Sequence, residues 1–321
     1  MDFIRRLFGG SKSGQPSPAT VPETLDIAQS AKPPLVSGGV DGPTTPPLQT
    51  RPLDPPKTYS TPYPSRRLKY GIASDVGRVR NNNQDGSLTL ITTTEVTGNP
   101  PAVGLFVVAD GMGGHKDGEH ASAVTVQTLA HYVVDQIILP QLESREMTSD
   151  QKTIPEVLVE AMEAANDAVQ AQVPNGGTTA TCAVIRGDLA YIAHVGDTRA
   201  YLITEGNMEL ITRDHSLVRR LQELGQLTDE EAEAHPQRNV LYRAIGQGDT
   251  LEVDAATRRL PPNARLLLCS DGLWGVIGDE RMARILADCA DPQEACDRLV
   301  SAANESGGPD NITVIVVQMP D

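Results

Sequence analysis

Two hydrophobic periods alternate along the chain after residue 66. Strand-length apolar runs come first, at Tyr70–Ser74, Leu88–Thr92 and Val103–Ala109. A three-to-four spacing then sets in. Val126, Leu129, Ala130, Val133 and Ile137 predict a helix over about 118–138, and Ile154, Val157, Leu158, Ala161, Ala165 and Ala168 a second over about 154–172. Four more short runs follow: Thr178–Arg186, Leu189–Val195, Arg199–Thr204 and Glu209–Thr212. They are separated by Arg186-Gly187-Asp188, Gly196-Asp197 and Glu205-Gly206-Asn207, turn chemistry that predicts successive antiparallel hairpins. A run at Leu266–Ser270, helical patterns over about 279–288 and 292–304, and the β-branched run Ile312–Val317 complete the series. Pairs of helices outside runs of antiparallel strands predict an α+β fold, a four-layer α/β/β/α sandwich with two central antiparallel sheets.

Residues 214–246 interrupt this plan. Asp214 is placed to cap a helix ending near Gly225, and Thr228 to Glu231 is a capping-box pattern before a short helix halted near Pro236. Asn239–Gly246 leads back to the core. The excursion reads as a flap beside a site.

The first 66 residues carry 13 of the 24 prolines, mixed with Ser, Thr and Gly, and no apolar period. Such a stretch buries too little surface to offset chain entropy, so a disordered tail is expected over 1–66, with the domain at 67–321. Phe3, Ile4, Leu7 and Phe8 give its start one apolar edge, too short for a signal peptide. The tail has seven basic and five acidic residues; 67–321 has 20 and 37, a balance of −17. That excess argues against nucleic acid as the main partner. Cys182, Cys269, Cys289 and Cys296 show no C-x-x-C spacing and read as thiols of a reducing compartment, and no run of 18 apolar residues exists. A cytoplasmic monomer is the expectation.

The candidate chemistry lies at strand ends. Leu105–Ala109 delivers Asp110, followed by Gly111-Met112-Gly113-Gly114-His115, a turn stripped of side chains for close approach. The construction returns 161 residues later, where Leu266–Ser270 runs into Asp271-Gly272. Gly308-Pro309-Asp310-Asn311 leads into the last strand. Three carboxylates presented this way are the oxygen ligands that a hard divalent cation requires.

Six segments in order carry a resemblance: Ser74-Asp75-Val76-Gly77-Arg78-Val79-Arg80 through Gln84-Asp85, Asp110-Gly111-Met112-Gly113-Gly114, Gly177-Thr178-Thr179-Ala180-Thr181, His194-Val195-Gly196-Asp197-Thr198-Arg199, Ser270-Asp271-Gly272, and Gly308-Pro309-Asp310-Asn311. Over about residues 68–318 the chain resembles the bacterial PP2C-type (PPM) metal-dependent protein serine/threonine phosphatases. The resemblance implies hydrolysis of phosphoserine and phosphothreonine by a hydroxide shared between two Mn²⁺ or Mg²⁺ ions. It implies that Asp110 bridges the ions, that the Gly111 carbonyl adds a ligand, and that Asp271 and Asp310 complete one site with Asp85 near the other. Arg80 takes the family's phosphate-binding position, and Asp197 with Asp271 that of a third metal. Phosphoproteins and a cognate kinase are the partners so implied.

Two residues depart from the family pattern. Gln84 stands where Glu often precedes the first Asp, which predicts a weakened metal site, and Met112 stands where eukaryotic members carry a His. The general acid is therefore not assigned; His115 is only within reach in principle, and His194 and His215 read as structural hydrogen-bonding groups. A weakly active regulatory member, a non-enzymatic metal-stabilised binding module, and a small-molecule phosphohydrolase or nuclease are the alternatives to an active protein phosphatase.

Overall fold

A computed structural model describes residues 67–93, 102–114, 116–142, 152–248 and 250–321. The expected tail over 1–66, its apolar start and His115 lie outside these residues. Eleven strands are present among the described residues: β1 (Lys69–Asp75), β2 (Asp85–Thr92), β3 (Val103–Met112), β4 (Gly177–Thr178), β5 (Ala180–Arg186), β6 (Leu189–Val195), β7 (Arg199–Thr204), β8 (Asn207–Leu210), β9 (Asp254–Arg259), β10 (Arg265–Cys269) and β11 (Ile312–Gln318). The helices are α1 (Asp117–Val133), continued by a π-helical turn at Val134–Ile138 and by α2 (Leu139–Leu142), then α3 (Ile154–Gln172), α4 (Leu217–Glu223), α5 (Asp229–Glu233), α6 (Asp271–Asp288) and α7 (Pro292–Glu305).

The strands form two antiparallel sheets, ordered β1-β11-β10-β7-β8 and β2-β3-β5-β6-β9, with β4 paired to the end of β3. Alternation along the strands explains the layers. Val103, Leu105, Val107 and Ala109 of β3 face α1 and α3, packing with Leu129, Leu158, Met162 and Val169. Phe106 and Val108 point the other way, into a core shared with Leu266, Leu268, Ile315 and Val317 of the opposite sheet. Leu267, Val314 and Val316 then face α6 and α7, against Leu286, Ala295 and Leu299. Strands apolar on both faces are those covered on both faces, which gives the predicted helix–sheet–sheet–helix order.

Three local expectations need correction. The turn Gly196-Asp197 is no hairpin: β6 pairs with β5 and β9, whereas β7 pairs with β10 and β8, so the chain there crosses from one sheet to the other. Strand β9 was not predicted, because Asp254–Arg259 alternates half-buried with exposed positions along a sheet edge and offers no apolar run. Asp214 does not cap α4. Ser216 does, its Oγ accepting from Arg219 N at 3.3 Å, while the Thr228/Glu231 capping box of α5 is formed.

Candidate active site

Both sheets end at one rim, and the aspartates of interest stand along it. Asp85 opens β2 directly opposite Asp110 in the β2–β3 ladder. Asp271 is the first residue of α6, separated from β10 by Ser270 alone, and Asp310 lies two residues before β11. Strands β10 and β11 are neighbours, so the antiparallel ladder brings these two loops together. Asp197 sits in the crossover between the sheets. The structure thus gathers five sequence-distant carboxylates, two from each sheet and one from the strap joining them.

Asp110, Asp85 and Asp197 are fixed by neighbours the motif pattern left without a role. The Asp110 backbone is gripped by a threonine pair: Thr178 Oγ1 and Thr179 N donate to its carbonyl at 2.8 Å, and its own N–H donates to Thr179 Oγ1 at 3.0 Å. Ser270 occupies the N-cap of α6 but does not cap it; its hydroxyl donates to Asp85 Oδ2 at 2.8 Å instead. The same Oγ accepts from Thr313 N at 2.9 Å, tying Asp85 to the opposite sheet. Asn311 clamps the first loop by donating to the Val76 and Asn82 carbonyls at 2.9 Å and accepting from Gln84 N at 2.8 Å. The chain's one tryptophan holds the crossover, Trp274 Nε1 donating to the Asp197 carbonyl at 3.0 Å. The Arg199 guanidinium stacks 3.5 Å from the Trp274 ring centroid and is gripped by Asp214 through Nε and Nη2 at 3.0 and 2.7 Å. Thr178, Ser270 and Asn311 stand inside the quoted segments; Trp274 had no signal beyond its rarity.

Gly111 has a packing reason to be small. A Cβ there would lie 2.1 Å from the Gly118 carbonyl and 2.6 Å from that of Gln84, so the residue is small because α1 crosses it. The buried Gln84 side chain packs on the same helix, its Nε2 only 2.3 Å from where a Gly118 Cβ would stand. His194 bonds Thr181 Oγ1 at 2.9 Å and the Arg213 carbonyl at 3.0 Å, and His215 Nδ1 accepts from Gly196 N at 3.0 Å. Both imidazoles hold the root of the excursion.

Burial dominates the electrostatics. It raises the carboxyls of Asp85, Asp110, Asp197 and Asp271 above the usual range. Neighbouring negative charge adds to this: Asp85, Asp271, Asp197 and Asp310 all act on Asp110. Arg80 is the cation at the mouth, its Nη2 2.6 Å from Asp310 Oδ2. Asp85 Oδ1 and Asp271 Oδ1 are buried without a hydrogen-bond partner. An orphaned buried carboxylate oxygen costs several kcal/mol unless a cation or proton meets it. An all-oxygen set with two such orphans fits Mn²⁺ or Mg²⁺. Among the described residues no three Asp, Glu, His or Cys side chains form a closed cage. Asp310 is turned toward Arg80.

The protein phosphatase 2C family model matches residues 82–304, a span that contains Asp85, Asp110, Asp197 and Asp271. The serine/threonine phosphatase Stp of Listeria innocua is 37% identical over 246 residues, covering 76% of this chain and 93% of that protein. PstP of Mycobacterium tuberculosis, a serine/threonine protein phosphatase, is 35% identical over 263 residues; the match covers 79% of this chain but 45% of PstP. The crystal structure of the PstP catalytic domain with two manganese ions superposes at a TM-score of 0.63 with 34% identity, covering 79% of this chain and 99% of that one. Fold, motif order and these matches agree that the chain belongs to the protein phosphatase 2C family.

Proposed function

We propose that the chain hydrolyses phosphoserine and phosphothreonine esters in proteins, using two divalent cations held at the rim. The observation that carries this reading is the pair of buried, partnerless oxygens on Asp85 and Asp271, within a set of aspartates supplied by both sheets. The names of Stp and PstP, and the manganese in the PstP crystal, support it. Asp110, the Gly111 carbonyl, Asp271 and Asp310 would hold one ion, with Asp85 and Asp110 serving the other. Asp197 with Asp271 would hold a third. When bound, such ions supply an activated water and offset charge on the phosphoryl group.

The chain's own residues do the positioning. The threonine pair at 178–179 fixes the Asp110 backbone, and the hydroxyl of Ser270 keeps one Asp85 oxygen engaged so that Oδ1 is left to the site. Arg80 is half exposed at the mouth, where its planar fork can take two phosphate oxygens. Met112 offers no proton to the departing alkoxide. The −17 balance of residues 67–321 disfavours nucleic acid as substrate. Hydrolysis of a phosphothreonine peptide with Mn²⁺, with Mg²⁺ or with EDTA is the test: turnover with either ion and none with EDTA is expected. Equal rates in EDTA would overturn the metal assignment, and no turnover in any condition would favour a regulatory or scaffolding role.

A further inference from the structure

The excursion carries a charge arrangement that the site chemistry does not use. Arg213, at its root, and Arg219 and Arg220, on α4, all reach one carboxylate, that of Glu223. Arg213 Nη2 bonds Glu223 Oε2, Arg220 Nη1 lies 3.3 Å from the same oxygen, and Arg219 Nε is 3.8 Å from Oε1. Three guanidiniums against one carboxylate leave an excess of two positive charges. Their side chains are 48%, 46% and 54% exposed, against 24% for Glu223. This happens in a region whose overall balance is −17. The acids of α5 bond elsewhere, Glu231 in its capping box and Asp229 to the Gln222 amide, and they keep their charge beside the cluster.

Position gives the cluster meaning. Gly196, next to Asp197, exchanges two hydrogen bonds with His215, which donates N–H to the Gly196 carbonyl at 2.7 Å and accepts at Nδ1. Arg213 precedes His215 by two residues, and α4 begins two residues after it. The cluster therefore stands at the root of an element anchored on the rim of the site. Surface ion pairs of this kind contribute little to stability, so folding alone gives weak reason to converge three arginines. Convergent planar forks suit a phosphate dianion better than a single carboxylate.

We propose that Arg213, Arg219 and Arg220 form a recognition site for a second phosphorylated residue of the protein substrate, close to the phosphoserine or phosphothreonine being hydrolysed. The proposal rests on the phosphatase reading and deepens it: the preferred substrate is a multiply phosphorylated segment. The test uses the full chain with Mn²⁺ and three peptides of one sequence. Each carries the same phosphothreonine, with alanine, glutamate or phosphoserine at a flanking position. A kcat/KM about 5- to 10-fold higher for the doubly phosphorylated peptide than for the alanine peptide is expected, from two exposed charge-assisted contacts. That ratio should fall toward one in the double variant Arg219→Gln, Arg220→Gln, and in about 0.5 M salt. A wild-type ratio of one, or a ratio that the double variant leaves unchanged, would overturn the proposal. Equal gains from glutamate and phosphoserine would overturn the dianion assignment. Loss of binding to anionic lipid vesicles in the variant, with the peptide ratio intact, would assign the patch to a membrane surface instead. Failure to hydrolyse all three peptides would strike the phosphatase reading itself, a result distinct from hydrolysis without preference.

Discussion

The rim of the site and the excursion beside it are built on opposite principles. At the rim, charge is buried, same-signed and incompletely satisfied, and two sheets hold it in place. On α4 and α5, charge is exposed and locally paired, and the elements are helices of seven and five residues with hydroxyl N-caps. The first region spends the stability of the surrounding core to keep carboxylates where water would not leave them. The second draws little from the core, so it tolerates change. Under the proposed function, the chemistry belongs to the first region and any adjustment of substrate preference to the second.

Removing a rim carboxylate should separate activity from stability most sharply. Asp110→Ala is expected to lower kcat/KM by at least about 10³-fold, the scale of losing a preorganised electrostatic element. The metal-free protein should melt no lower than wild type, because one of several mutually repelling buried charges has gone. Retention of a tenth of the activity would dissolve the contrast.

Titration gives the next effect. Folding lifts the Asp85 carboxyl to about 7 and that of Asp271 to about 6, both first through burial, from an ordinary value near 3.8. The folded state therefore holds protons that the unfolded state has released. The associated stability is complete below the ordinary value and is lost as pH rises through 6 to 7. In EDTA the melting temperature should decline from pH 5 to 8, whereas saturating Mn²⁺ should flatten the decline, so the two curves diverge with pH. Parallel curves by scanning fluorimetry would show that these carboxylates do not meet the ion.

Arg80 is half exposed at the rim, paired with Asp310. Arg80→Ala should raise KM for a phosphopeptide by about 10- to 100-fold, the equivalent of about 1.5–3 kcal/mol for a charged hydrogen-bonded contact. Calorimetric Mn²⁺ affinity should persist, and its loss would make Arg80 part of the metal site. The smallest effect belongs to the excursion. Thr228→Ala removes a cap that contributes about 1 kcal/mol, so α5 amides should exchange faster while the global melting temperature moves by no more than a few degrees. A larger drop would mean that α5 helps hold the core.

How much of this was legible in the sequence follows the same division. Strands buried on both faces, such as β3 and β11, announce themselves as continuous apolar runs, and the four layers follow from them. Acidic residues at the ends of such runs mark the rim. What escaped depends on partners remote in sequence. Gly196-Asp197 has the same turn chemistry whether the chain folds back or crosses to another sheet, and only pairing partners 60 to 70 residues on distinguish the two. Asp214 looks like a cap until Arg199 is seen against it. That Gly111 must also be small because α1 crosses it shows only in the fold. Edge strand β9 carries no apolar run at all.

The place of β11 in its sheet sets a clock. Although it comes last in sequence, it lies between β1 and β10, the latter being the strand that feeds Asp271, and Asp310 and the Asn311 clamp lie just ahead of it. A growing chain can pair β2, β3, β5 and β6 as they emerge, but β1 must wait for a partner some 240 residues away. Until β11 has been made and paired, Asp310 and the Asn311 clamp are not in place on the rim, and a nascent chain has no complete site to act on its neighbours. Activity is thereby postponed until β11 is in place, and a cut between Arg259 and Asp310 would remove Asp310 and β11 while leaving every strand of the other sheet in the chain.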